Sequence, residues 1–288
     1  MQNHLRRNIV ITGSNKGIGY ATVEKLLGGE IPYDIITTSR NTKLGEEALK
    51  TLKTKYPTSV STITYHQLDV NDDKSVDDFV EWLKNTSGKL DILLNNAAIG
   101  TPHTNDEQKH NTIKTNFFSV VKLTEKIIPL LSEDGKVIMV SSSVGILSWQ
   151  GPKLKKALED ENITEQQLFD LGKNVLEVIK DYPTEVFLPE GSYPASKALL
   201  NAYVRRFLPK KLKTNQQCYA LCPGLCATDM GSGFRENAKA KKEIKDSVGE
   251  ALSAEEGADT PVYLINLPFE KKEELNAKFF AKREIISY

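Results

Sequence analysis

Tyr193 and Lys197 stand four residues apart in the run Tyr193-Pro194-Ala195-Ser196-Lys197. On a helix that spacing places both side chains on one face. A phenol with an ordinary pKa near 10 transfers protons poorly at neutral pH. An adjacent ammonium, with a second positive charge nearby, stabilises the phenolate. Lowering its pKa by about three units corresponds to roughly 4 kcal/mol. Such a pair also occurs as plain surface packing, so its meaning depends on what surrounds it.

A second candidate site lies near the N-terminus, in Thr12-Gly13-Ser14-Asn15-Lys16-Gly17-Ile18-Gly19. Gly13 permits a tight exit from a strand, Gly17 lets the backbone approach a pyrophosphate, and Gly19 lets a helix pack close on a sheet. The helix that follows offers free N–H groups and a partial positive charge to phosphates. The next apolar run ends Thr38-Ser39-Arg40, with no carboxylate for a ribose 2′-hydroxyl. Arg40, with Lys16 from the glycine loop, instead offers cations to a 2′-phosphate. The expected cofactor is therefore NADP(H) rather than NAD(H), and its positive nicotinamide would supply the second charge beside Tyr193.

The elements that must position these groups follow in alternation. Strands are expected at Asn8–Thr12, Ile35–Thr38, Val60–Leu68, Leu90–Asn95, Lys136–Ser141 and Gln217–Cys222, rich in β-branched residues and without polar alternation. Helices are expected at Gly17–Leu27, from Asn41 or Thr42 to Lys55, Asn71–Lys84, Asp106–Leu131, Tyr193–Lys213 and Ala254–Leu267. The last is capped by Ser253 with Glu256 three residues on. A final strand falls within Lys278–Ile286. This order implies right-handed βαβ crossovers and a doubly wound sheet. The alternation breaks at Ser148–Glu190, where about Thr164–Lys180 is amphipathic. The expectation is a single α/β, Rossmann-type domain over 1–288, with a parallel sheet of about seven strands, a helical insertion at 148–190 and a substrate loop at 231–253.

The spacing Gly-x-x-x-Gly-x-Gly after Thr12 resembles the short-chain dehydrogenase/reductase family. Three features resemble its monomeric carbonyl reductases: the glycine loop, Lys114-Thr115-Asn116-Phe117-Phe118, and Thr260-Pro261-Val262-Tyr263-Leu264. The insertion before Tyr193 resembles theirs as well. The resemblance implies catalytic roles for Asn116, Ser142, Tyr193 and Lys197. Ser142 is the second serine of Ser141-Ser142-Ser143 and would bond the substrate carbonyl oxygen. Asn116, with Asn111 as competitor, would bend the long helix and hold a proton-relay water. The resemblance also implies cofactor contacts from Gly13, Asn15, Lys16, Gly17, Ile18, Gly19 and Arg40. Asp69 and Val70 would contact the adenine. Asn96 and Ala97 belong to Asn95-Asn96-Ala97-Ala98, where Ala98 stands in the place of a usual glycine. Pro223, Gly224, Cys226 and Thr228 would flank the nicotinamide, with Tyr193 and Lys197. Met139 stands where the family often has asparagine.

Composition narrows the classes. Among 288 residues, 38 Lys+Arg balance 38 Asp+Glu, which argues against a nucleic-acid binder. No apolar stretch approaches the ~20 residues of a membrane span, and no signal-like h-region precedes the first strand. Three cysteines do not make a disulfide framework. Cys218, Cys222 and Cys226 lack a nearby histidine, so no metal site is expected; Cys226 is a candidate modifiable thiol. His103 and His110 are candidates for the substrate mouth, with an ordinary surface position as the default. The expected protein is a cytoplasmic monomer acting on a small carbonyl substrate, its would-be dimer face covered by the insertion. The activity implied is NADPH-dependent reduction of ketones, aldehydes or quinones. A dedicated biosynthetic ketone reductase or a catalytically silent NADPH sensor are the alternatives.

Overall fold

The structure, a computed structural model, describes residues 6–100, 105–182, 191–231, 251–270 and 273–288. Most of the 231–253 loop, His103 and the end of the insertion lie outside them.

The chain runs β1 (Arg7–Ile11), α1 (Gly17–Leu27), β2 (Tyr33–Ser39), α2 (Thr42–Lys55), β3 (Thr62–Gln67), α3 (Asp73–Thr86) and β4 (Leu90–Asn95). The sheet order is β3-β2-β1-β4, continuing through β5 (Leu131–Val140), β6 (Gln217–Cys222), β7 (Phe279–Ala281) and β8 (Glu284–Ile286). Every pairing is parallel except β7 with β8. The order reverses between β1 and β4, which opens a crevice at the carboxyl ends of those strands. β4 and β6 are buried throughout, as strands covered on both faces must be. Alternate residues feed opposite cores: Val10, Leu93 and Val137 enter one, Ile9, Ile92 and Ile138 the other.

Among the described residues eight strands therefore stand where about seven were expected, and the extra one is antiparallel. The β7–β8 turn has Lys282 and Arg283 at φ 50° and 65°. A two-residue hairpin turn favours Asn-Gly for that geometry, so Lys-Arg conceals it. Arg283 fastens the turn to Asp259 at the start of a helix.

The expected helix Asp106–Leu131 is broken into α4 (Asp106–Ile113), a π-helical stretch Lys114–Ser119, and α5 (Val120–Ile127). A short 3-10 turn, Ile128–Leu130, follows, and Pro129, without an N–H, helps end the helix there. β5 begins at Leu131, ahead of the expected Lys136, and pairs Leu131 with Leu90 across a register shift.

The insertion folds as α6 (Pro152–Glu159), α7 (Glu165–Lys173) and α8 (Val175–Val178). The expected amphipathic helix is thus two, divided at Asn174, whose side chain bonds the Asp170 carbonyl at 2.9 Å. α9 (Ser192–Arg206) is separated from α10 (Leu208–Lys211) at Phe207, before Pro209. Leu154, Leu158, Leu168, Val175 and Val178 are buried in the same core as Leu199 and Tyr203 of α9. Phe117 and Phe118 meet Phe169 of the insertion at 5.3 and 5.7 Å between ring centres. The last helix is also divided, into α11 (Ala254–Gly257), with its Ser253–Glu256 capping box formed, and α12 (Asp259–Asn266).

Candidate active site

The glycine loop leaves β1 with Gly13 at φ +61° and enters α1 through Gly17 at φ +62°. Among the described residues no side chain caps the α1 N-terminus, which leaves its first N–H groups available, as a phosphate cradle requires. Ser14 is fully buried; its hydroxyl donates to Ile11 O and accepts from Thr38 N at 3.0 Å, tying the loop to β2. The Thr12 hydroxyl accepts from the backbone N–H groups of Asn96 and Ala97, each at 2.9 Å. The Asn96 amide donates to Thr12 O and Gly13 O at 2.9 and 3.0 Å. The loops after β1 and β4 are thereby one rigid unit. Gly13 packs against Ala97: a Cβ there would lie 3.0 Å from Ala97 Cα.

Arg40 is exposed at the end of β2, and its carbonyl accepts from Gln67. Lys16 is exposed and ion-paired with Asp229 at 2.5 Å. Asn15 and Ile18 are half-buried in the same loop. Asp69 accepts from the N–H of Asn71, and Val70 is buried beside it. Asn71 then donates to Thr115 at 2.9 Å and accepts from Ser119 at 2.8 Å, so the adenine-side turn is bolted to the π-helical stretch. Sequence reading missed Ser14 and Asn71. Neither belongs to a recognisable spacing, although a polar residue after a strand and before a helix cap is a turn signal.

The loop after β6 approaches from the other side. Gly224 has φ +86°. Thr228 accepts from Gly231 N, and its Cγ2 would lie 3.5 Å from a Cβ on Gly17. Cys226 is buried and donates to the carbonyls of Pro223 and Gly224; a Cβ on Gly257 would meet its sulfur at 2.3 Å. Burial pushes the Cys226 thiol up to about 11, with Cys222 adding. That makes it an inert plug between loop and α11 rather than a modifiable thiol.

The four catalytic candidates converge at the carboxyl end of β5. The geometry separates Ser142 from its neighbours. Ser141 is buried and donates to Lys197 O, while Ser143 accepts from the Cys222 thiol. Ser142 is half-buried, accepts from Val144 N at 3.4 Å and acts on the Tyr193 phenol, favouring its ionised form. Asn111 is exposed, whereas Asn116 is fully buried within the π-helical stretch. Asn116 clamps the backbone of Ile99 in both directions, at 2.9 and 2.8 Å, and donates to Ser196 at 3.2 Å. Its side-chain amide is thus committed to protein partners. The π-helical widening lets it reach both the β4 loop and α9. Asn95 donates to Met139 sulfur at 3.2 Å and to Thr124 at 2.9 Å, so Met139 is contacted at the position where asparagine is usual.

Tyr193 and Lys197 are 8% and 2% exposed. Lys197 Nζ donates to Val140 O at 2.9 Å and lies 5.6 Å from the Tyr193 ring centre. Gly145 makes this packing possible, since a Cβ there would fall 2.6 Å from the Lys197 carbonyl carbon. Burial pushes Tyr193 above the ordinary phenol range and Cys222 adds to this, while the bond from Ser142 opposes them. The stabilised phenolate expected from the sequence counts a positive nicotinamide as well as Lys197; in the free chain burial acts against it. Lys197 does not reverse the effect of burial, which pulls its own ammonium down to about 8. The pair therefore consists of a protonated phenol and a cation titrating close to neutrality.

An uncapped helix N-terminus beneath a glycine loop, two exposed cations at the edge and a half-buried Ser142 beside buried Tyr193 and Lys197 together fit NADP(H) beside a carbonyl. The family model described as short chain dehydrogenase matches residues 7–153. The chain is 32% identical to carbonyl reductase (NADPH) 1 of Rattus norvegicus over 274 residues, 90% of each chain. It is 31% identical to (+)-neomenthol dehydrogenase of Arabidopsis thaliana over the whole of both. Among solved structures it is similar to salutaridine reductase from Papaver somniferum, at TM-score 0.77 and 27% identity, covering 96% of this chain and 99% of the other. With this coverage of both chains, the protein is an oxidoreductase of the short-chain dehydrogenase/reductase family.

Proposed function

We propose that this chain catalyses NADPH-dependent reduction of a ketone, aldehyde or quinone carbonyl to the alcohol. What supports the reading is a half-buried Ser142 acting on the buried Tyr193 phenol, with Lys197 on the same helix face. NADPH, when bound, supplies the hydride. Gly13, Gly17 and the α1 N-terminus hold its pyrophosphate, and Arg40 and Lys16 its 2′-phosphate. Ser142 and Tyr193 hydrogen-bond the carbonyl oxygen, where negative charge develops. Tyr193 donates its proton to that oxygen as general acid; burial keeps the phenol protonated but raises the cost of the transfer, which the Lys197 ammonium and the positive nicotinamide would offset. Lys197 steadies the resulting phenolate with its ammonium. Asn116 is a positioning residue that fixes Ile99 and Ser196 around the site.

We infer a monomer, because insertion residues Leu168 and Phe169 pack on Tyr203 of α9 and Phe117. Three buried free thiols suit a reducing compartment such as the cytoplasm. Among the described residues no helix is long and apolar enough to cross a membrane.

The test is NADPH oxidation with a panel of quinones, α-dicarbonyls, aromatic ketones and aldehydes, run beside NADH and a Tyr193→Phe variant. Turnover of several substrates with NADPH, lost in the variant, supports this reading. Similarity to a neomenthol dehydrogenase and a salutaridine reductase favours one second reading, a narrow ketone reductase. That reading predicts silence across the panel despite tight NADPH binding, and turnover of a single ketone.

A further inference from the structure

Lys16, one of the two cations assigned to the 2′-phosphate, already holds an anion. Its Nζ lies 2.5 Å from Asp229 Oδ2. The pair bridges the glycine loop and the loop after β6, beside the close approach of Gly17 and Thr228. Both side chains are exposed, 66% and 78%, so each is open to exchange with a ligand. Lys16 holds the Asp229 carboxyl below the ordinary carboxylate range, so at neutral pH the bridge is a full ion pair.

We propose that Asp229 sets cofactor selectivity, its carboxylate standing in for the 2′-phosphate on Lys16 until a 2′-phosphorylated nucleotide displaces it. The proposal rests on the NADP(H) reading above. A nucleotide with a free 2′-hydroxyl makes no claim on Lys16 and leaves the pair intact. A nucleotide with a 2′-phosphate must break it, so Asp229 penalises only the preferred cofactor. Selectivity is thereby held below the ceiling that Lys16 and Arg40 would otherwise set. Exposed pairs of this kind are worth up to about 1 kcal/mol, which corresponds to roughly fivefold in affinity.

The experiment is calorimetric titration of the full chain with 2′,5′-ADP and with 5′-AMP, which carry the adenosine end of the cofactor with and without the 2′-phosphate. Asp229→Asn is expected to bind 2′,5′-ADP about 2–5-fold tighter and to leave 5′-AMP binding unchanged. In a Lys16→Met background the same substitution should have no effect on either. The proposal is overturned if Asp229→Asn leaves 2′,5′-ADP binding unchanged or weaker, if both ligands shift alike, or if the gain survives without Lys16. Equal binding of the two ligands by the unaltered chain would instead sink the NADP(H) reading, and the proposal with it. Thermal melting of each variant separates altered binding from altered folding.

Discussion

The Asn96 side-chain amide occupies the space that a Cβ on Gly19 would need, at 2.5 Å. Gly19 therefore does more than bring α1 close to the sheet: it makes room for the amide that laces Thr12 and Gly13 to the β4 loop. Alanine at 19 would gain about 1 kcal/mol of helix propensity, yet overpacking costs about 1–3 kcal/mol and would unlace the cradle. Gly19→Ala is expected to melt several degrees lower and to bind NADPH at least tenfold more weakly. Adding Asn96→Ala should recover part of the melting temperature and none of the affinity. Circular dichroism melts and a fluorescence titration with NADPH check both.

Tyr193→Phe removes the proton donor and one of two carbonyl contacts while leaving the packing of α9 intact. The rate of carbonyl reduction should fall about 10²–10⁴-fold, the usual worth of a positioned general acid. NADPH affinity should stay within about threefold. Ser142→Ala should reduce kcat as well, whereas Ser143→Ala, whose hydroxyl faces the Cys222 thiol, should change it little. Steady-state kinetics on any substrate that the panel reveals distinguish these outcomes.

Much of this site is visible in sequence because local geometry dictates residue type. Gly13 and Gly17 need positive φ, Tyr193 and Lys197 need helical spacing, and the absence of a carboxylate after Ser39 is itself a signal. What sequence does not disclose depends on partners distant in the chain. Asn116 looks like a helix residue, but its position in a π-helical stretch is set by Ile99 and Ser196. Asn71 is an ordinary turn residue until Thr115 and Ser119 meet it. The spacing discloses the Tyr193–Lys197 pair but not the cost of burying the phenolate, which the residues packed around Tyr193 set.

Two buried lysines give activity and stability opposite pH dependences. Burial lowers Lys197 to about 8, while Tyr193, pushed up, stays protonated throughout. Reduction should therefore decline as pH rises through about 8, as the ammonium is lost, and the residual rate of Lys197→Met should show no such limb. Stability moves the other way. Burial lowers Lys136 to about 7, with Arg7 adding. The unfolded chain then binds more protons between about 7 and 10.5, so stability rises with pH across that window and is lost again as pH falls through about 7. Lys136 also donates to the carbonyls of Leu264, Ile265 and Leu267 at the end of α12. Lys136→Met should cost about 1–3 kcal/mol at pH 7, and more at higher pH as the gain of the unaltered chain is forfeited. Urea unfolding at pH 7 and pH 9.5 reads both effects.

Leu168 tests the proposal that the chain is a monomer because the insertion covers this face. It is fully buried between α7 and the α5–α9 face, in one core with Leu199 and Tyr203. Tyr203 bonds Glu125 at 3.0 Å, and Lys211 bridges Glu125 to Glu165 of the insertion, so the cover is both apolar and ionic. Leu168→Ala should cost about 2–5 kcal/mol, the usual cost of a core cavity. Leu168→Asp should loosen the insertion and expose Phe117, Phe118 and Tyr203 to another copy. By light scattering the unaltered chain is expected at its 32.1 kDa mass, and the aspartate variant at a larger one. A dimer in the unaltered chain would show that the covered face is not the one through which it associates, and the insertion would have to be reassigned to shaping the substrate site.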